Sequence, residues 1–273
     1  MSRIPENRID RKFRELKARA QKAFVAYITA GDPSPERTPE LVWALERAGA
    51  DIVELGVPFS DPLADGVVNQ LSAQRALEAG TTPFRVFEML QAIRTQSQIP
   101  IVLYTYFNLV YTYGIERFCQ HAYQSGADGI LVLDLPPEES QGPNSVGSRL
   151  GDGSLRRICL VAPTSPAERI AKIVQKATGF VYYVSREGVT GMQEHVATSM
   201  SGRIDLLRKH TQLPVCIGFG ISSPEQARAV ALQADGAVVG SALVNRIAEW
   251  GKDHDLAEKL EDFARPLAQA IHS

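Results

Sequence analysis

Eight short, apolar, β-rich runs alternate with segments of helical periodicity, and this alternation constrains the fold more than any other feature of the chain. The runs cover residues 24–29, 52–55, 101–106, 129–134, 158–162, 180–184, 215–218 and 236–239. Helix-patterned segments lie between them, among them 39–48, 84–95, 115–125, 166–176, 224–233 and 242–250, several opened by the Ser or Pro that helix N-termini favour. Runs that are apolar on both sides suit parallel strands covered by helices, and eight βα units in a chain of 273 residues close into a barrel. The expected fold class is therefore α/β, a (β/α)8 TIM barrel forming one domain over residues 1–273. An extra N-terminal helix over 8–21 would cover the barrel floor, and Leu256–His272 would complete the outer shell. An open doubly wound sheet is the alternative, and the lack of a Gly-rich turn after the first strand disfavours it. Between 139 and 156 four glycines and a proline depress helix propensity, so a short or distorted helix is expected there.

Composition enters mainly through what it excludes. A formal net charge of −2, with no basic face long enough to follow a phosphodiester backbone, argues against a nucleic-acid partner. The N-terminus has no apolar signal core, and no run of about 18 apolar residues occurs, so neither secretion nor a membrane span is expected and the location reads as cytoplasmic. Cys119, Cys159 and Cys216 are odd in number and widely spaced, which fits reduced thiols. The five histidines show no metal spacing, and no cofactor or metal is expected in this chain.

In a barrel the chemistry lies at the C-terminal ends of the strands. There the second run leads into Glu54-Leu-Gly-Val-Pro-Phe-Ser-Asp-Pro-Leu-Ala-Asp65-Gly, two carboxylates around a loop punctuated by Pro and Gly. Burial at the end of an apolar strand should raise the pKa of Glu54 and suit it to proton transfer, while Asp65 on the loop should stay wetter and ionised. Strand seven ends in Gly218-Phe-Gly-Ile-Ser-Ser223 and strand eight in Gly240-Ser-Ala at a helix start. Unobstructed backbone N–H groups at those two loops make a phosphate cradle, to which Ser241 adds a hydroxyl. Ser185 and Ser241 lack a nearby histidine in a triad-like arrangement, and lysines are missing from the strand ends. Neither acyl-enzyme nor Schiff-base chemistry is indicated.

Six segments resemble the tryptophan synthase alpha subunit family. They are residues 24–32, the run from Glu54 to Gly66, Asp134-Leu-Pro-Pro-Glu-Glu139, Leu160-Val-Ala-Pro-Thr-Ser165, the loop from Tyr183 to Gly191, and Gly218-Phe-Gly-Ile-Ser-Ser-Pro-Glu-Gln226. The resemblance implies a lyase that cleaves indole-3-glycerol phosphate to indole and glyceraldehyde 3-phosphate by a retro-aldol reaction. It implies that Glu54 moves protons and that Asp65 stabilises charge on the indole N–H. By the same similarity Tyr182 lies near Glu54, while Tyr27, Tyr106 and Thr190 line the substrate pocket. Gly191, Gly220, Gly240 and Ser241 contact the phosphate, and Asp61, Pro62 and Asn108 face a partner. That partner is a beta subunit carrying pyridoxal phosphate, in an alpha2beta2 assembly that receives the indole. A stand-alone lyase releasing free indole is the alternative. A non-catalytic activating subunit is disfavoured because both carboxylates are present, and a phosphate-binding isomerase barrel is the reading outside the family. The chain departs from the family pattern at Val67, Tyr104 and Leu133, where proline, a slimmer apolar residue and a small residue or proline are usual. The first change loosens the Asp65 loop, and the other two narrow the pocket.

Overall fold

A computed structural model of the chain describes residues 6–140, 155–185, 193–218 and 220–273. Nine parallel strands form one sheet: β1 (Ala23–Thr29), β2 (Ile52–Gly56), β3 (Ile101–Thr105), β4 (Gly129–Val132), β5 (Arg156–Arg157), β6 (Cys159–Val161), β7 (Val181–Val184), β8 (Val215–Gly218) and β9 (Gly236–Val239). Their order is β5-β4-β3-β2-β1-β9-β8-β7-β6. The two terminal strands of that order are consecutive in the chain, with only Ile158 between them, and the Ile158 N–H donates to Ile130 O at 2.9 Å. β5 pairs with β4, and β6 pairs with β7. The sheet therefore closes on itself as a (β/α)8 barrel, and the fifth strand, expected over 158–162, begins earlier and is divided in two.

The division has local causes. The Arg157 N–H donates to the Thr178 hydroxyl at 2.7 Å instead of to a neighbouring strand. Gly129 lets the segments approach, since a Cβ there would meet Arg156 O at 3.0 Å and Ile158 Cδ1 at 2.7 Å.

Alternation along the strands sorts the core into two parts. Phe24, Ala26, Ile28, Val53, Leu55, Ile101 and Leu103 face outward and pack with Leu41, Leu45, Leu90 and Ile93 of the helices Thr38–Ala48 and Pro83–Arg94. Val25, Ile52, Val102, Leu131, Ile158, Phe180, Cys216 and Val238 face inward and form a second cluster. Each fully buried large side chain contributes roughly 1.5–3 kcal/mol, so both surfaces of every strand stabilise the closed sheet.

Helix Arg8–Ala18 shuts the floor. Asn7 caps it by accepting the Ile9 N–H at 3.0 Å, and Ile9, Phe13 and Leu16 enter the inner cluster, where Phe13 lies 5.7 Å from Phe180. This leaves the C-terminal ends of the strands as the open face. The helices Val67–Glu78 and Phe107–Tyr113 bound that face and were not legible as helical patterns. The expected irregular helix between 139 and 156 lies almost wholly outside the described residues. Its first part is the 3-10 turn Pro137–Ser140.

Candidate active site

The inward parity that builds the inner core continues one layer higher and changes character. Two positions past Val25, Ile52, Val102, Phe180 and Cys216 stand Tyr27, Glu54, Tyr104, Tyr182 and Gly218, and two past Val238 stands Gly240. Tyr27 and Glu54 are partners in the β1–β2 register. The apolar core thus ends in a ring of hydroxyls around a single carboxyl group.

Glu54 is 0% exposed, and neither of its oxygens has a hydrogen-bond partner among the described residues. Burial raises its pKa from 4.5 to about 8, since no donor or cation among the described residues stabilises the carboxylate. Near neutral pH the group carries its proton and can give it up at little cost, as a general acid that must later act as a base requires. The tyrosines fit around it because their neighbours are small. A Cβ on Gly56 would lie 2.5 Å from the Tyr27 hydroxyl, and one on Gly218 would collide with that of Tyr182.

Asp65 is half-buried on the loop between β2 and helix Val67–Glu78, wetter than Glu54 as expected. Its N–H donates to Pro62 O at 3.0 Å. The Tyr106 hydroxyl accepts the Ala64 N–H at 3.0 Å and donates to Asp65 Oδ2 at 2.8 Å, while Tyr104 donates to Oδ1 at 2.8 Å. Phe59 packs on Tyr106 with ring centroids 5.2 Å apart. Burial pushes the Tyr27 hydroxyl well above its ordinary pKa, and the charge of Asp65 pushes it further.

A cavity of about 160 Å³ opens over this layer. Tyr27, Tyr182, Gly218, Gly220, Gly240 and Ser241 line it, whereas Glu54, Asp65 and Tyr106 do not. Gly220 takes a positive φ of 62° that a side chain would strain, and Gly240 is the N-cap of helix Ser241–Trp250, whose first residue, Ser241, is exposed. Free N–H groups and a hydroxyl at a helix N-terminus suit a phosphate monoester. Asp61, Pro62 and Asn108 stand outside the cavity. Asp61 is exposed and accepts the Ser60 hydroxyl at 2.5 Å, Pro62 is half-buried, and exposed Asn108 accepts the Thr112 hydroxyl at 3.1 Å. Thr190 and Gly191 lie outside the described residues.

Two residues of the site escaped the sequence reading. Tyr104 stood out there only for bulk, although its place two residues after Val102 marks it as inward-facing. Asn69 lines the cavity and donates to Asp65 Oδ1 at 3.4 Å, and its Oδ1 has no partner among the described residues. The available signal was its position one helical turn after Asp65.

Comparison with known proteins points the same way. The family model for the tryptophan synthase alpha chain matches residues 13–272. The chain is 54% identical over 262 residues to the tryptophan synthase alpha chain of Opitutus terrae, covering 96% of this chain and 97% of that one. It is 47% identical over 265 residues to that of Citrifermentans bemidjiense, covering 97% and 98%. Among solved structures, tryptophan synthase subunit alpha from Legionella pneumophila superposes with a TM-score of 0.89 at 39% identity, covering 98% of this chain and 99% of the other.

Proposed function

Because the chain belongs to the tryptophan synthase alpha chain family, lyases that cleave indole-3-glycerol phosphate to indole and glyceraldehyde 3-phosphate, we propose that Glu54 and Asp65 carry that cleavage here. The observation that supports this most is the Glu54 carboxyl, fully buried and without a hydrogen-bond partner among the described residues, a setting that raises its pKa.

Glu54 gives its proton to C3 of the indole ring and becomes a carboxylate. The ring nitrogen then bears positive charge, which Asp65 stabilises at the N–H. Glu54 next takes the proton of the 3′-hydroxyl as the bond between C3 and the side-chain carbon breaks. The bonding pair returns to the ring, indole leaves, and the aldehyde of glyceraldehyde 3-phosphate forms. Glu54 ends the cycle protonated, as it began. Tyr182 and Tyr27 flank the reacting centre, Tyr106 orders the Asp65 loop, and Thr190 lines the pocket. Gly191, Gly220, Gly240 and Ser241 hold the phosphate, whose binding energy orients the ring far from the anchor.

The family needs no cofactor in this chain and implies a beta subunit as partner. We read the partner as the pyridoxal-phosphate subunit of an alpha2beta2 assembly that takes up the indole. Asp61, Pro62 and Asn108 form part of the contact. Exposed apolar side chains beside them support this surface: Leu63 is 92% exposed, Val67 69% and Tyr111 67%. The chain reads as one barrel domain acting in the cytoplasm, and among the described residues no helix is long and apolar enough to cross a membrane.

Indole release from indole-3-glycerol phosphate by the purified chain, alone and with a beta subunit, tests the reading. Slow release alone and faster release in the assembly is expected. Absence of indole in both would overturn the function, and equal rates would overturn the coupling to a partner and favour a stand-alone lyase.

A further inference from the structure

Tyr104 has a defined target for its hydroxyl. It lies on the inward face of β3, and its ring meets Tyr27 edge-on, with centroids 4.9 Å apart and 68° between the planes. With Tyr104 on Oδ1 and Tyr106 on Oδ2, each oxygen of the Asp65 carboxylate has its own tyrosine donor, both at 2.8 Å. One contact would leave the carboxylate free to turn about it. Two contacts from one strand and its end remove that freedom. Among the described residues the other side-chain donor, Asn69, reaches the same Oδ1 at only 3.4 Å and replaces Tyr104 poorly.

Resting on the reading of Asp65 as the charge-stabilising group, we propose that Tyr104 is a positioning residue for the lyase reaction, locking the Asp65 carboxylate in its working orientation before substrate arrives. Burial, and then the charge of Asp65 itself, push the Tyr104 hydroxyl well above its ordinary pKa, so it stays a donor at any pH at which the enzyme works. The ring cannot swing away without losing its contact with Tyr27. The orientation is thus built into the barrel wall and does not depend on the loop alone.

Tyr104→Phe removes the hydroxyl and keeps the ring. It should lower kcat for indole release about tenfold, as the loss of one hydrogen bond to a charged group implies, and leave KM within about twofold. The test is a double-mutant cycle with Asp65→Ala in the full chain, measured with enzyme in excess so that slow variants still report. In the Asp65→Ala background Tyr104→Phe should cost nothing further, because the hydroxyl has lost its target. An equal fall in both backgrounds would mean that the hydroxyl acts on the substrate or the fold, and would overturn the proposal. So would a Tyr104→Phe chain as fast as the parent while Asp65→Ala is slow. If Asp65→Ala alone were as fast as the parent, the role of Asp65 would fail first and that of Tyr104 with it.

Discussion

Glu54→Gln is expected to abolish indole formation and to leave substrate binding largely intact. The amide keeps the shape of the carboxyl group but cannot donate a proton to C3 or accept one from the 3′-hydroxyl, and both transfers pass through this one side chain. General acid-base catalysis is worth about 10²- to 10⁴-fold per group, and the upper end applies where one group serves both steps. Because Glu54 makes no hydrogen bond among the described residues, the exchange breaks no network that shapes the pocket. The loss should therefore appear in kcat and spare KM. Steady-state kinetics with calorimetric titration of a substrate analogue check both halves. Activity above a few per cent of the parent would remove Glu54 from the mechanism.

Asp65→Asn is expected to lower kcat by about 100- to 1000-fold, the range usual for one lost group that stabilises transition-state charge. The substitution leaves a carbonyl oxygen that one tyrosine can still engage, so the loop keeps its path. What disappears is the negative charge beside the indole nitrogen when that nitrogen turns positive. The ground-state ring is neutral and gains little from the charge, so KM should move far less than kcat. An unchanged kcat would mean that another group bears the countercharge.

Much of this site was legible because it follows from strand parity and strand ends. The bounds of β8 and β9 match the apolar runs, and Glu54 could be recognised as a buried acid because it closes an apolar strand before a Pro- and Gly-rich turn. Other features depend on contacts that no local pattern encodes. Helix Val67–Glu78 buries only Ser72, Ala73 and Ala76, side chains too small to print an apolar period. Helix Phe107–Tyr113, rich in aromatic and β-branched residues, reads locally like strand. The break at Ile158 arises because a threonine hydroxyl from a later turn takes a ladder donor. The pinning of Asp65 by Tyr104 needs a hydrogen bond across 39 positions, which exists only once the loop has turned back over β3.

The protonation state of Glu54 is the premise on which the chemistry rests, and infrared spectroscopy reads it directly. Burial without a partner raises the folded-state pKa from 4.5 to about 8, so the carboxyl should be protonated at neutral pH and ionise only as pH rises through that value. A difference spectrum of the parent chain against Glu54→Gln, stepped from about pH 5 to about pH 10, isolates the carbonyl stretch of this one protonated group. A band present at neutral pH that titrates away with its midpoint near 8 is the expected result. A band already lost in the ordinary carboxylate range, near 4.5, would show a solvated or paired Glu54 that holds no proton to give to C3.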